Sequence, residues 1–401
     1  MCGHLIGRGT IMGMTKRRVV ITGVGAVAAP GIGMDDLWKG LSEQPGPAPR
    51  IVEDWDPEPW IPKRESRRLD RFTQFALVAA DEAFAQAGEL DIDRNRVTVS
   101  LATGIGGLES LEVLIHASEQ DEPRVSPFQV PMMMANAAAA AISIKYGIGG
   151  QVATPVVACA AGSQSIVDGL RQIQWGYADI AVVGGTEAAA RKAAREGFRA
   201  ARALSPTGYA RPFDVDRDGF VMGEGAGVLI LEAEEIADQR GAAPLAVVMG
   251  GASTADAYHI TAPHPAGDGA ERAVRLALED ADLEPGDIEY INAHGTGTDL
   301  NDKTEGAVIK RVFGDDQPAV SSIKGSTGHG LGASGSIEAA VVVEAIRRRE
   351  LPANIGLTNQ DPEIPLNDIV REVRPWEPGP TLSNSFGFGG HNTVVVIGPA
   401  G

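Results

Sequence analysis

Two rhythms of apolar and polar positions alternate along this chain. Short apolar runs of strand length are "RRVVITGVG", "VTVSLATG", "TPVVACA", "DIAVVGG", "GVLILEA", "PLAVVMGG", "IEYINAHG", "PAVSSIKG" and "TVVVIG". Between them lie stretches whose apolar residues recur at helical spacing, notably 70–87, 163–176, 269–281, 303–313 and 334–349. Strand-like runs alternating with amphipathic helices predict an α/β fold.

The order of these elements repeats. The first half reads "VVITGVG", "VTVSLATGIGG", "ATPVVACAAGSQSIVDGLRQI" and "ADIAVVGGTEA". The second reads "LAVVMGGAS", "IEYINAHGTGT", "AVSSIKGSTGHGLGASGSIEAAVVVEAI" and "TLSNSFGFGGHNTVVVIG". Glycine permits positive φ and close backbone approach at the strand ends. Two similar halves packed face to face would bring those ends to one site. No Pro/Gly/Ser linker divides the chain, and 190–245 reads as a charged, loop-rich join. The expectation is one compact unit with halves at 17–245 and 246–401. Residues 1–16 lack the apolar core and cleavage site of a signal peptide, and read as a flexible leader upstream of an alternative start at Met14.

Composition narrows the class. A chain of 401 residues fits one large domain or two intimately packed halves. Its two cysteines cannot build a disulfide framework, which points to a reducing cytoplasm and at least one free thiol. The most apolar run, "PMMMANAAAAAISI", is too short for a membrane span and is broken by Asn136. A net charge of −18 argues against general nucleic-acid binding. Two local basic clusters remain, "PKRESRRLDR" with Arg64, Arg67 and Arg68, and a run from 191 to 211 that includes Arg202. One charge run is ordinarily a solvated helix face; two on an acidic protein favour docking of an acidic partner.

Three motifs lead nowhere. "GVGAVA" from Gly23 fits a dinucleotide fingerprint, but a proline follows where the helix should start, and no acidic strand end lies at the expected distance. "DVDRDG" begins like a calcium loop whose closing acid should fall at Gly225. "MCGH" lacks a second ligand pair, so no metal site is expected.

Cys159 is placed differently. It sits where "TPVVA" gives way to the helical "GSQSIVDGLRQI". At a helix N-terminus, free N–H groups and the dipole favour the thiolate. Ala160, Ala161 and Gly162 leave room for a bulky group. Alone, Cys159 reads equally well as a small core residue. Two of seven histidines shift that balance, His294 in "NAHGTGT" and His329 in "KGSTGHGLGASG", because both occupy Gly/Thr-rich turns after strand-like runs of the repeated half. Lys324 precedes His329 by five residues, Glu338 follows on the next helix, and Phe386 and Phe388 lie in a further Gly-rich turn.

This set resembles the β-ketoacyl-acyl carrier protein synthases, the condensing enzymes of the thiolase superfamily. "VACAAG", "NAHGTGT", "SSIKGSTGHGLGASGSIE" and "NSFGFGGHN" occur in that family's order, with "RPFDVDRDGFVMGEGAG" as a linker motif, from about Arg17 to Gly398. The resemblance implies a thiolase-like α/β fold of duplicated βαβαβαββ halves in a five-layered α/β/α/β/α core. It implies an acyltransferase performing decarboxylative Claisen condensation of a malonyl carrier with an acyl chain held on Cys159. His294 and His329 would drive decarboxylation, and Lys324 would support them through Glu338. Thr296 and Thr298 would hold the phosphopantetheine arm, which arrives on the carrier protein, so no resident cofactor is implied. Phe388 would gate the acyl pocket, its N–H joining that of Cys159 in an oxyanion hole, and Phe386 would contribute to substrate binding. Arg64, Arg67, Arg68 and Arg202 would dock an acyl carrier protein. Met132, Met133 and Met134 would shape the acyl pocket across a dimer interface, or be core. The partner would be a second copy or a chain-length factor lacking the cysteine; a non-catalytic scaffold is disfavoured by the presence of Cys159, His294 and His329. The short "SPTGYAR" and the "GGHN" in place of the commoner "GGTN" leave fatty-acid and polyketide pathways both open.

Overall fold

The computed structural model describes residues 16–90, 92–120 and 124–401, so Cys2, Met14 and nearly all of the expected leader lie outside the described residues. Strand β1 (Val19–Ala28) is buried at every position because it is packed on both faces. The same holds for β2 (Val97–Ala102), β4 (Ile180–Glu187) and β5 (Gly225–Ala233). A short β3 (Val152–Ala153) completes the first half. The second half holds β6 (Ala246–Ala255), β7 (Tyr290–Asn292), β8 (Ala319–Ser321), β9 (Thr381–Gly387) and β10 (His391–Gly398). The first half runs in the order β3-β2-β4-β5-β1 and the second in the order β8-β7-β9-β10-β6. The orders are identical, and so are the senses: the first three strands of each are parallel, the last two antiparallel. The halves join where residues 19–21 of β1 pair with 246–248 of β6.

Six helices complete the duplication: α1 (Arg71–Ala87), α2 (Ala137–Tyr146) and α3 (Ala161–Gln174), then α4 (Asp268–Asp280), α5 (Asp299–Phe313) and α6 (Ser334–Arg348). Each half is therefore βαβαβαββ. Alternate residues of one strand enter different cores, as period-two geometry requires. In β5, Val228 and Ile230 pack with α1 and α2, whereas Leu229 and Leu231 pack with α3 and α6. In β10, Val395 and Ile397 join α3 and α6, whereas Val394 and Val396 face α4 and α5. Helices α3 and α6 thus form the middle of five layers. This is the thiolase-like fold.

Three sequence expectations change. "TPVVACA" is not a strand: pairing stops at Ala153, ahead of Pro155, which has no N–H to give a ladder. The 190–245 stretch is more than a join, since it contains the central strand β5. The glycines of "GVGAVA" lie within β1, where a Cβ at Gly23 or Gly25 would meet the carbonyl of Ala83 or Ala79 at 2.0 and 2.1 Å. Their role is close helix packing.

Candidate active site

Cys159 lies in the turn Ala158–Ala160 that opens α3, and Ala158 holds φ +51° to make it. That non-glycine residue in the left-handed region is local strain at the cysteine. The thiol Sγ is 2.9 Å from Nε2 of His329, and His329 Nδ1 is 3.0 Å from the Ser334 hydroxyl. The N–H groups of Phe388 and of Cys159 itself face the sulfur. The expected thiolate is not the resting form. Burial pushes the Cys159 thiol up to about 11, outweighing the Phe388 N–H and the Lys324 charge that pull it down, while Glu187 adds to the rise. Desolvation of the anion exceeds what the helix terminus returns.

The two imidazoles meet edge to face, with ring centroids 5.4 Å apart. Burial holds both well below the ordinary histidine range, helped by the charge of Lys324. They are neutral at pH 7 and can each donate or accept one proton. His294 comes from the turn after β7, where Glu305 of α5 accepts its backbone N–H at 2.8 Å and that of Gly295 at 2.7 Å. His329 comes from the loop before α6, its ring packed edge-on against Phe220 at 5.2 Å. Lys324 is fully buried and ion-paired with Glu338 of α6. The structure thus brings together the two residues that the resemblance pairs.

A cavity of about 450 Å³ opens above Cys159, lined by His294, His329, Thr296, Thr298, Phe386 and Phe388 among others. The Thr296 and Thr298 hydroxyls are 2.9 Å apart, and Thr298 caps α5. Exposed Arg202 is at the mouth. Arg64, Arg67 and Arg68 are exposed on a separate face, with the Arg68 guanidinium 4.5 Å above the Phe128 ring. The methionines are not at the Cys159 cavity of this chain. Met132 and Met134 line a second cavity of about 660 Å³, and Met133 accepts a hydrogen bond from Gly107 behind the Ile105 wall.

Sequence reasoning missed four contributors. Phe198, on the helix Lys192–Ala200, packs tilted toward Phe388 (6.2 Å between centroids) and edge-on against Phe220 (5.4 Å), so a segment read only as a basic patch also furnishes an apolar wall. Glu187 and Glu305 are fully buried carboxylates, each pushed up to about 7 by burial despite several N–H donors. Ser334 is visible in the sequence only as the first position of the helical stretch 334–349. A charged residue at the end of an otherwise apolar strand, as in "AVVGGTE", is the signal that would have found Glu187.

Comparison with known proteins identifies the family. Residues 49–237 match the family model for the beta-ketoacyl synthase N-terminal domain, and residues 245–358 match that for the C-terminal domain. The 3-oxoacyl-[acyl-carrier-protein] synthase 2 of Synechocystis sp. is 44% identical over 96% of this chain and 98% of its own. Among solved structures, the ishigamide ketosynthase/chain length factor superposes with a TM-score of 0.90 at 34% identity, covering 96% of this chain and 100% of that one. A type II polyketide synthase ketosynthase bound to the hexaketide, solved with its acyl-carrier protein, gives 0.88 at 30% identity, covering 96% and 100%. The chain belongs to the beta-ketoacyl synthase family and is an acyltransferase of that class.

Proposed function

We propose that this family member elongates acyl chains by decarboxylative condensation, with Cys159 as the acyl carrier residue. The observation that carries the reading is the buried thiol 2.9 Å from a neutral imidazole, with two backbone N–H groups facing its sulfur. In the first step His329 Nε2 takes the thiol proton as Sγ attacks the thioester carbonyl of an acyl carrier. The N–H groups of Cys159 and Phe388 receive the developing oxyanion. Collapse breaks the bond to the phosphopantetheine sulfur, which leaves with the proton from His329. Ser334 suits both stages, because its hydroxyl can accept from Nδ1–H or donate to Nδ1, leaving Nε2 free or protonated.

In the second step a malonyl thioester takes the vacated arm site beside Thr296 and Thr298. The neutral rings of His294 and His329 donate to its carbonyl oxygen while the carboxylate leaves as CO₂. The resulting enolate carbon attacks the acyl-Cys159 carbonyl, a C–C bond forms, and the thiolate of Cys159 is released and reprotonated from solvent. Both rings are neutral at this stage, because His329 has already given its transient proton to the leaving sulfur, and burial beside Lys324 keeps an imidazolium from persisting. Apolar Phe198, Phe220 and Leu331 keep water from the carbanion.

Acidic acyl carrier protein is the proposed partner, docking at Arg202 and the Arg64–Arg67–Arg68 face. A homodimer through the β3 edge is the proposed assembly, supported by exposed Val152, Val156, Trp175 and Tyr177 beside it. The cytoplasm is the proposed location; no helix among the described residues is long and apolar enough to cross a membrane. The ketosynthase subunit of a polyketide system is the second reading, favoured by the likeness to a ketosynthase/chain length factor. Incubation with acyl- and malonyl-carrier protein is expected to give a β-ketoacyl carrier two carbons longer. His294→Ala is expected to retain Cys159 acylation but lose condensation by about a hundredfold. Condensation at the wild-type rate would overturn the role given to His294.

A further inference from the structure

The two halves carry the same device beside their central helices, and only one of them is open. The turn Ala158–Ala160 precedes α3 and the turn Leu331–Ala333 precedes α6, each starting with a left-handed non-glycine residue, Ala158 at φ +51° and Leu331 at φ +47°. Cys159 therefore corresponds to Gly332. Strand register gives the second correspondence: Val97 pairs with Ile180 as Tyr290 pairs with Thr381, which sets Glu187 where the other half has Phe388. At the first turn the N–H groups of Cys159 and of Phe388, which comes from the other half, face the Cys159 sulfur at the wall of the catalytic cavity. At the second, the corresponding N–H of Gly332 is already occupied by the Glu187 carboxylate at 3.2 Å.

That carboxylate holds more than one loop. It accepts from Gly104 N at 2.7 Å and from the Thr103 hydroxyl at 3.2 Å, and the Ile105 N–H faces it too. Thr103 in turn accepts from Gly106 N at 3.0 Å. The loops it joins touch backbone to backbone: a Cβ at Gly332 would lie 2.1 Å from Gly104 N. One loop carries Ile105 into the catalytic cavity. The other carries Leu331, which packs with Cys159 and lies between His329 and Ser334.

We propose that Glu187 is a positioning residue: as an internal hydrogen-bond acceptor filling the turn before α6, it clamps the Ile105 wall to the Leu331–Ala333 turn and so holds His329 at Cys159. This rests on the acyl-transfer reading above. A glutamine fits the same place, with its oxygen toward Gly104 and Gly332 and its amide toward the Thr103 hydroxyl. An alanine leaves the N–H groups without an acceptor.

The test is the rate of Cys159 acylation by an acyl carrier protein, followed by intact-protein mass. Glu187→Ala is expected to lower the saturating acylation rate by about tenfold to a hundredfold, as small misplacements of reacting groups do. The half-saturating carrier concentration should change less than about twofold, since docking lies elsewhere, and Glu187→Gln should return the rate to within about threefold of wild type. If the alanine variant does not fold, Thr103→Val, which removes only the orienting hydroxyl, is expected to slow acylation by about threefold. Wild-type acylation in folded Glu187→Ala, an effect confined to carrier affinity, a glutamine variant no better than alanine, or an unaffected Thr103→Val in place of an unfolded alanine variant would each overturn the proposal. Absence of acylation in the wild type would instead overturn the acyl-transfer reading.

Discussion

Cys159 is a protonated nucleophile with its base already in contact. Because burial pushes the thiol up to about 11, alkylation by iodoacetamide is expected to climb by about tenfold per pH unit from pH 7 to 9 with no plateau. A plateau near pH 7 would show a preformed thiolate and contradict the geometry. The sequence exposed Cys159, His294 and His329 through their Gly-rich turns, because catalytic access requires small neighbours. It could not reveal the protonation state, which depends on how completely distant residues such as Phe220 and Leu331 enclose the sulfur. Nor could it single out Glu305, since its burial comes from segments far away in the chain; Glu187 was marked only by its place at the end of an apolar strand.

At the scale of elements, the duplication was legible because both halves repeat the same order of apolar runs. Two things hid from the pattern. One was the brevity of β3, where Pro155 ends a run whose letters suit a strand. The other was the contact between α3 and α6, made by small residues that carry no periodic signal. A Cβ on Gly335 would lie 2.2 Å from the Ser163 hydroxyl, and one on Gly162 would lie 2.8 Å from Ser336 N. Gly335→Ala is therefore expected to destabilise the protein by about 2 kcal/mol through overpacking, read as a lowered urea midpoint with an unchanged slope. An unaltered midpoint would mean that the two helices can part at no cost.

For the whole molecule, buried charge makes stability depend on pH. The Glu305 carboxyl is raised from 4.5 to about 7, so the native state binds its proton more tightly than the unfolded chain does. Its contribution is complete below about 4.5 and is lost as pH rises through about 7. His294 and His329 act oppositely, being held neutral, and cost stability as pH falls below the usual histidine range. Comparing wild type with Glu305→Gln cancels the histidine effect: wild type should lose stability relative to the variant between pH 5 and 8. Parallel urea midpoints across that range would contradict the burial argument. Assembly is tested by light scattering, where a mass twice 41.8 kDa is expected for the chain alone and a monomer would favour a distinct partner subunit.

The most direct test of the central claim is the intact mass of the purified protein after exposure to an acyl carrier protein. Wild type is expected to gain the mass of one acyl group, removable by hydroxylamine, and Cys159→Ala to gain none. Equal acylation of both, or acylation of neither, would contradict Cys159 as the residue that carries the chain.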